Sequence, residues 1–108
     1  MNFNEYQEMA KTTAIYGDQH KILYPALGLA GEAGEVANKV KKLIRDGYEK
    51  NKDYRKEVAA EIGDVLWYCA VLADDIGCDL QTIVNNNIVK LKDRMDRGVI
   101  GGNGDNRK

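Results

Sequence analysis

"GLAGEAGEVANKVKK", residues 28–42, has the spacing of a helix and yet carries three glycines. Each glycine inside a helix costs about 1 kcal/mol relative to alanine. The apolar positions Ala26, Ala30, Ala33, Ala37, Val40 and Ile44 recur in alternating steps of four and three, the period of one helix face. The stretch therefore reads as the middle of a long helix with an inward stripe of mostly small residues. It starts at Pro25, a residue suited to a first helical turn, and ends near Gly47. Downstream, Val58, Ile62, Val65, Cys69, Leu72 and Ile76 keep the same spacing in a third helix, from Asn51 or Asp53 to Gly77. Val84, Ile88, Leu91 and Met95 mark a fourth, from an Asp79 cap to Gly98. Upstream, Tyr6, Met9, Ala10, Thr13 and Tyr16 share a face of a first helix. Asn4 is its expected cap, with Gln7 three residues later, and Gly17 its stop. No segment alternates with period two. Short links between long helices make neighbours antiparallel. The expected fold is all-α, a four-helix antiparallel bundle over residues 1–98, with a glycine-rich, mobile tail over residues 99–108.

A chain of 108 residues suits one domain. Its formal net charge of −1 gives no bulk attraction to nucleic acid or to an acidic membrane. No apolar run approaches the roughly 20 residues of a membrane span. The N-terminus "MNFNEYQEMAK" lacks the basic and apolar regions of a signal peptide. Two cysteines, Cys69 and Cys78, are too few for a disulfide framework. The expectation is a cytoplasmic protein with neither nucleic-acid nor membrane partners. Long helices in so small a chain also point to self-association.

The polar residues one position before each apolar stripe sit at the edge of the seam. Glu32 and Glu35 are three apart on the second helix, and Glu61 and Asp64 are three apart on the third, so each pair shares a face. Antiparallel packing lets the pairs converge. Four carboxylates together cannot all stay ionised without a counter-charge, and a hard cation such as Mg²⁺ or Mn²⁺ satisfies them. Acidic pairs at this spacing are also common on solvated faces; two of them on consecutive helices, one set among glycines, weigh against that blander reading. Gly28, Gly31 and Gly34 leave room for a bulky ligand or for a close helix, and both readings stand. The lone His20 rules out the paired Glu-x-x-His motifs of a di-iron bundle. On the fourth helix Asn87, Lys90 and Arg94 fall on one line; they face either a ligand or solvent at the cation-favouring end of the helix. Trp67 and Tyr68 wall a pocket or fill the core, and aromatics at helical spacing usually do the latter. Glu57 reads as a first-turn glutamate favourable to the helix dipole.

Taken together, "GLAGEAGEVANKVKK" followed by "EVAAEIGDVLWYCAVLADDIG" resembles the MazG-type all-α nucleoside triphosphate pyrophosphohydrolases. Their signature is E-x-x-E, a spacer, then E-x-x-D, here Glu32, Glu35, 25 intervening residues, Glu61 and Asp64. "NIVKLKDR", with Asn87, Lys90 and Arg94, is similar to the family's N-x-x-K-x-x-x-R segment, and the tail "GVIGGNGDNR" to its C-termini. The chain departs from the tandem two-domain form in being a single unit. The resemblance implies Mg²⁺ or Mn²⁺ held by Glu32, Glu35, Glu61 and Asp64. It implies hydrolysis of a nucleoside or deoxynucleoside triphosphate to the monophosphate and pyrophosphate, with Glu32 as the base, or else Glu35. Lys90 and Arg94 would then hold phosphates and Asn87 a phosphate or sugar oxygen. A homodimer or dimer of dimers is implied too. The alternative is a non-catalytic helical oligomerisation module with a structural cation in its acidic seam.

Overall fold

Among residues 1–101, which the computed structural model describes, every regular element is helical. They are α1 (Phe3–Lys11), α2 (Leu23–Asp46), α3 (Tyr54–Asp75) and α4 (Leu80–Asp96), with single 3₁₀ turns at Asp18–His20 and Tyr48–Lys50. The mobile tail expected over residues 99–108 lies outside the described residues from position 102 onward. The all-α expectation holds, and so do the bounds of α2, α3 and α4 to within three residues. Gly47 closes α2 at φ +92° and Gly77 follows α3 at φ +80°, a left-handed conformation that costs other residues roughly 1–2 kcal/mol. Asp79 caps α4, its carboxylate accepting the Thr82 N–H at 3.0 Å.

The helices α2 and α3 form an antiparallel hairpin. Gly28 lies against Tyr68, Glu32 meets Glu61 and Asp64, and Lys39 reaches Glu61. Helix α1 runs parallel to α3, with Gln7 bonded to Ala70 and Lys11 paired with Asp74. Gln7 is buried and joins three elements. Its amide nitrogen donates to the carbonyls of Ala70 and Cys78, and its amide oxygen accepts the N–H of Leu80, each at 3.1 Å. Around it lies a small core of Ala10, Ala70, Val71, Ala73 and Leu80.

Helix α1 is shorter than expected, and Asn2, not Asn4, caps it. The Asn2 side chain accepts the Glu5 N–H at 2.8 Å while Glu5 accepts the Asn2 N–H, a reciprocal capping box. Asn4 instead accepts the N–H of Gln81 at the start of α4. The helix stops at Lys11 rather than Tyr16. Thr12 and Thr13 donate their hydroxyls back to the carbonyls of Met9 and Ala10, an alternative to continuing the helix. Thr13 Oγ1 also accepts Trp67 Nε1–H at 2.7 Å, which makes Trp67 a packing residue. Before α2, Ile22 takes φ +69°, and its N–H and the Tyr16 hydroxyl both donate to Asp75 Oδ2 at 2.9 Å.

The inward stripes need correction. On α2, Ala26, Ala30, Ala33, Ala37 and Ile44 are exposed and Val40 is half-buried. The face turned to α3 is one residue earlier, through Pro25, Leu29, Glu32, Val36 and Leu43, a rotation of about 100°. On α4, Ile88, Leu91 and Met95 are exposed, as are Ile62 on α3 and Ile76 just after it. One hairpin partner covers one stripe, and the remaining apolar faces stay open in the single chain. The radius of gyration is accordingly 16.8 Å, against about 13 Å for a compact chain of this length.

Candidate metal centre

The rotation of α2 puts Glu32 in the helix–helix seam rather than at its edge. Glu32 and Glu61 are half-buried and Asp64 is exposed; one carboxylate oxygen from each lies within 4.8 Å of the other two. Glu61 and Asp64 meet Glu32 because i and i+3 share a helix face and α3 runs antiparallel to α2. Glu35 is exposed one turn further along α2, outside this triad but within its electrostatic reach. The crowding raises the Glu32 pKa above the ordinary carboxylate value. A hydrogen bond shared with Glu61 is the largest cause, followed by desolvation and the charges of Asp64, Glu61 and Glu35. Three carboxylates crowded together raise one another's proton affinity and mark a place where positive charge is favoured. The donors are all hard oxygens, with no imidazole or thiolate among them, and they fit Mg²⁺ or Mn²⁺.

Two kinds of side chain flank the triad along the hairpin. Toward the α2 N-terminus, Tyr68 fills the space beside Gly28, where a Cβ would collide with its ring. Burial first, and then the nearby Tyr24, Glu32 and Asp64, push the Tyr68 hydroxyl pKa up. Tyr24 stacks on Tyr16, ring centres 4.6 Å apart. Tyr6 of α1 borders the cluster, its pKa raised by burial and then by the charge of Asp64. Toward the α2 C-terminus, Lys39 Nζ lies 3.8 Å from Glu61. The three glycines thus have different surroundings: Gly28 admits a close helix, whereas Gly31 and Gly34 have no neighbour within 4 Å of an added Cβ. Tyr24 gave no signal in the sequence, because its nearness to Tyr68 depends on the register between two helices.

Asn87, Lys90 and Arg94 lie on α4 and are not members of the triad, which is Glu32, Glu61 and Asp64. Helix α4 bonds to α1 through its first turn, at Leu80 and Gln81. Asn87 is exposed, Lys90 half-buried, and Arg94 buried to 4% exposure, so Arg94 is no solvated helix end. Glu57 accepts a hydrogen bond from Asn51 at 2.7 Å in the first turn of α3.

The family model described as the MazG nucleotide pyrophosphohydrolase domain matches residues 20–99. The chain is also similar to the Gene 37 protein of Mycobacterium phage L5, 47% identical over an alignment of 117 positions that takes in 99% of this chain and 100% of that protein. No solved structure matches it.

Proposed function

The chain belongs to the MazG nucleotide pyrophosphohydrolase family, and from that premise we propose that it hydrolyses a nucleoside or deoxynucleoside triphosphate to the monophosphate and pyrophosphate. The observation that carries this reading is the meeting of Glu32, Glu61 and Asp64 across two helices, with oxygens within 4.8 Å. Glu35 completes a four-carboxylate donor set for Mg²⁺ or Mn²⁺. Such a cation supplies counter-charge to the triphosphate and acidifies water at the site. Glu32 takes the proton of the water that attacks the α-phosphorus. A carboxylate beside the cation is placed to accept that proton. The bond from the α-phosphorus to the bridging oxygen breaks, and pyrophosphate leaves with the electron pair. Asn87, Lys90 and Arg94 contribute to substrate binding in this reading.

The open apolar faces of α2, α3 and α4 support a homo-oligomer. The accessible surface of 7860 Å² is roughly 1,800 Å² more than a compact monomer of this mass presents. A non-catalytic oligomerisation module would share those faces, so turnover decides between the two readings. The test is pyrophosphate release from a panel of nucleoside triphosphates, after chelation and again with Mg²⁺ or Mn²⁺ restored. Activity should vanish on chelation and return with either metal. Glu61→Gln and Asp64→Asn should each cut turnover by about a hundredfold or more, as expected when several kcal/mol of charge stabilisation are lost. Full turnover in the metal-free protein, or wild-type rates in both variants, would assign these carboxylates to a solvated face.

A further inference from the structure

Beyond the triad, the end of the α2–α3 hairpin turns cationic. Residues 39–52, "KVKKLIRDGYEKNK", hold six lysines and arginines against two acidic residues. Seven residues of helix separate Lys39 from Glu32, about 10 Å along the axis. A cavity of about 290 Å³ opens there between the end of α2, the turn at Tyr48–Lys50 and the start of α3. Lys39, Lys42, Lys50 and Asn51 line it, together with the acids Asp46 and Glu57.

Both acids are already engaged. Asp46 accepts two hydrogen bonds at 2.8 Å from the Arg45 guanidinium, and Glu57 accepts the Asn51 amide. Lys39 reaches back to Glu61 of the triad. Lys42 and Lys50 form no ion pair among the described residues. Three ammonium groups thus line one polar cavity, Lys42 adding its charge to that of Arg45 beside Asp46, and Lys39 reaches the acidic cluster.

We propose that this cavity is a polyphosphate subsite, taking the β- and γ-phosphates of a nucleoside triphosphate and the pyrophosphate formed from them. The assignment rests on the function proposed above. It fixes the direction in which substrate lies along the hairpin. The nucleoside points toward Tyr24 and Tyr68, the α-phosphate lies over the carboxylates, and the leaving group points toward Lys42 and Lys50. Negative charge builds on the departing phosphates as the anhydride bond breaks, and fixed cations placed there favour that step. Lys39, between triad and cavity, serves both.

The test is isothermal titration of the full chain with inorganic pyrophosphate, inorganic tripolyphosphate and a nucleoside monophosphate, all with Mg²⁺. Loss of one charge-assisted contact should weaken pyrophosphate and tripolyphosphate about tenfold in Lys42→Ala or Lys50→Ala, and more in the double variant. The monophosphate should shift less than about twofold, and Lys42→Arg should retain most of the pyrophosphate affinity. KM for the triphosphate should rise while the melting temperature holds. Unchanged pyrophosphate affinity in the double variant would overturn the subsite. So would an equal loss for the monophosphate, or a loss that appears in Lys90→Ala and not in the Lys42 and Lys50 variants. A chain that hydrolyses no nucleoside triphosphate yet binds pyrophosphate through Lys42 and Lys50 would refute the proposed activity and leave the anion subsite standing.

Discussion

Glu32 serves two opposed conditions. Without a cation its carboxyl shares a hydrogen bond with Glu61, and its pKa is raised. A carboxyl with a raised folded-state pKa stabilises the fold in its protonated form. That contribution is complete below the ordinary glutamate value of 4.5 and is lost as pH rises through the folded value. The metal-free protein should therefore melt at progressively lower temperature as pH is raised from 4.5 through the folded value of Glu32. Glu32→Gln should flatten that slope, and Mg²⁺ should reverse it by favouring the ionised form. Calorimetry across pH, with chelator and with Mg²⁺, reads all three. An identical slope in wild type and Glu32→Gln would remove Glu32 from the acidic cluster. The residues that make the cluster were legible in the sequence, since i,i+3 carboxylates on neighbouring helices announce themselves by spacing. The contact of Lys39 with Glu61 and the fit of Tyr68 into the gap at Gly28 were not, because spacing within a helix carries no information about rotation between helices.

The elements meet at Gln7. Replacing it with alanine removes the partner of the Leu80 N–H and one acceptor contact each from the carbonyls of Ala70 and Cys78. Each unsatisfied buried group costs about 1–3 kcal/mol. Gln7→Ala should lower the unfolding free energy by about 2–4 kcal/mol in a urea titration, with water recovering part of the full loss. A change below about 1 kcal/mol would mean that water replaces the amide fully. The same residue explains why the start of α1 was misread. "NFNEYQ" contains two overlapping cap signals, Asn2 with Glu5 and Asn4 with Gln7. The first forms the box because Asn4 and Gln7 are both spent on docking α4. Gly47, Gly77, Gly98 and Asp79, by contrast, end or begin their helices through local geometry alone, and those bounds were readable. The stripes were read as inward, yet on α2 the covered face lies one residue earlier and much of the apolar stripe is exposed. Periodicity identifies an apolar face and not what covers it.

The molecule as a whole buries little and leaves large apolar side chains in water, with Ile44 at 74% and Ile88 at 58% exposure. On the proposed homo-oligomer, sedimentation should give a mass at least twice the 12.1 kDa of one chain. Ile44→Arg and Ile88→Arg should shift it toward the monomer, since a charge buried without a partner opposes association. A wild-type chain that sediments at 12.1 kDa would leave those faces unexplained. The parallel packing of α1 on α3 bears on how the molecule is made. The partners of Gln7 lie 63 to 73 residues further along the chain, whereas α2 and α3 are joined by a short turn and find each other locally. Contacts so distant in sequence form late. The region matched by the family begins only at residue 20, beyond α1, so the carboxylate hairpin closes over a short turn while its cover by α1 must close loops of 63 to 73 residues, at a larger entropic cost.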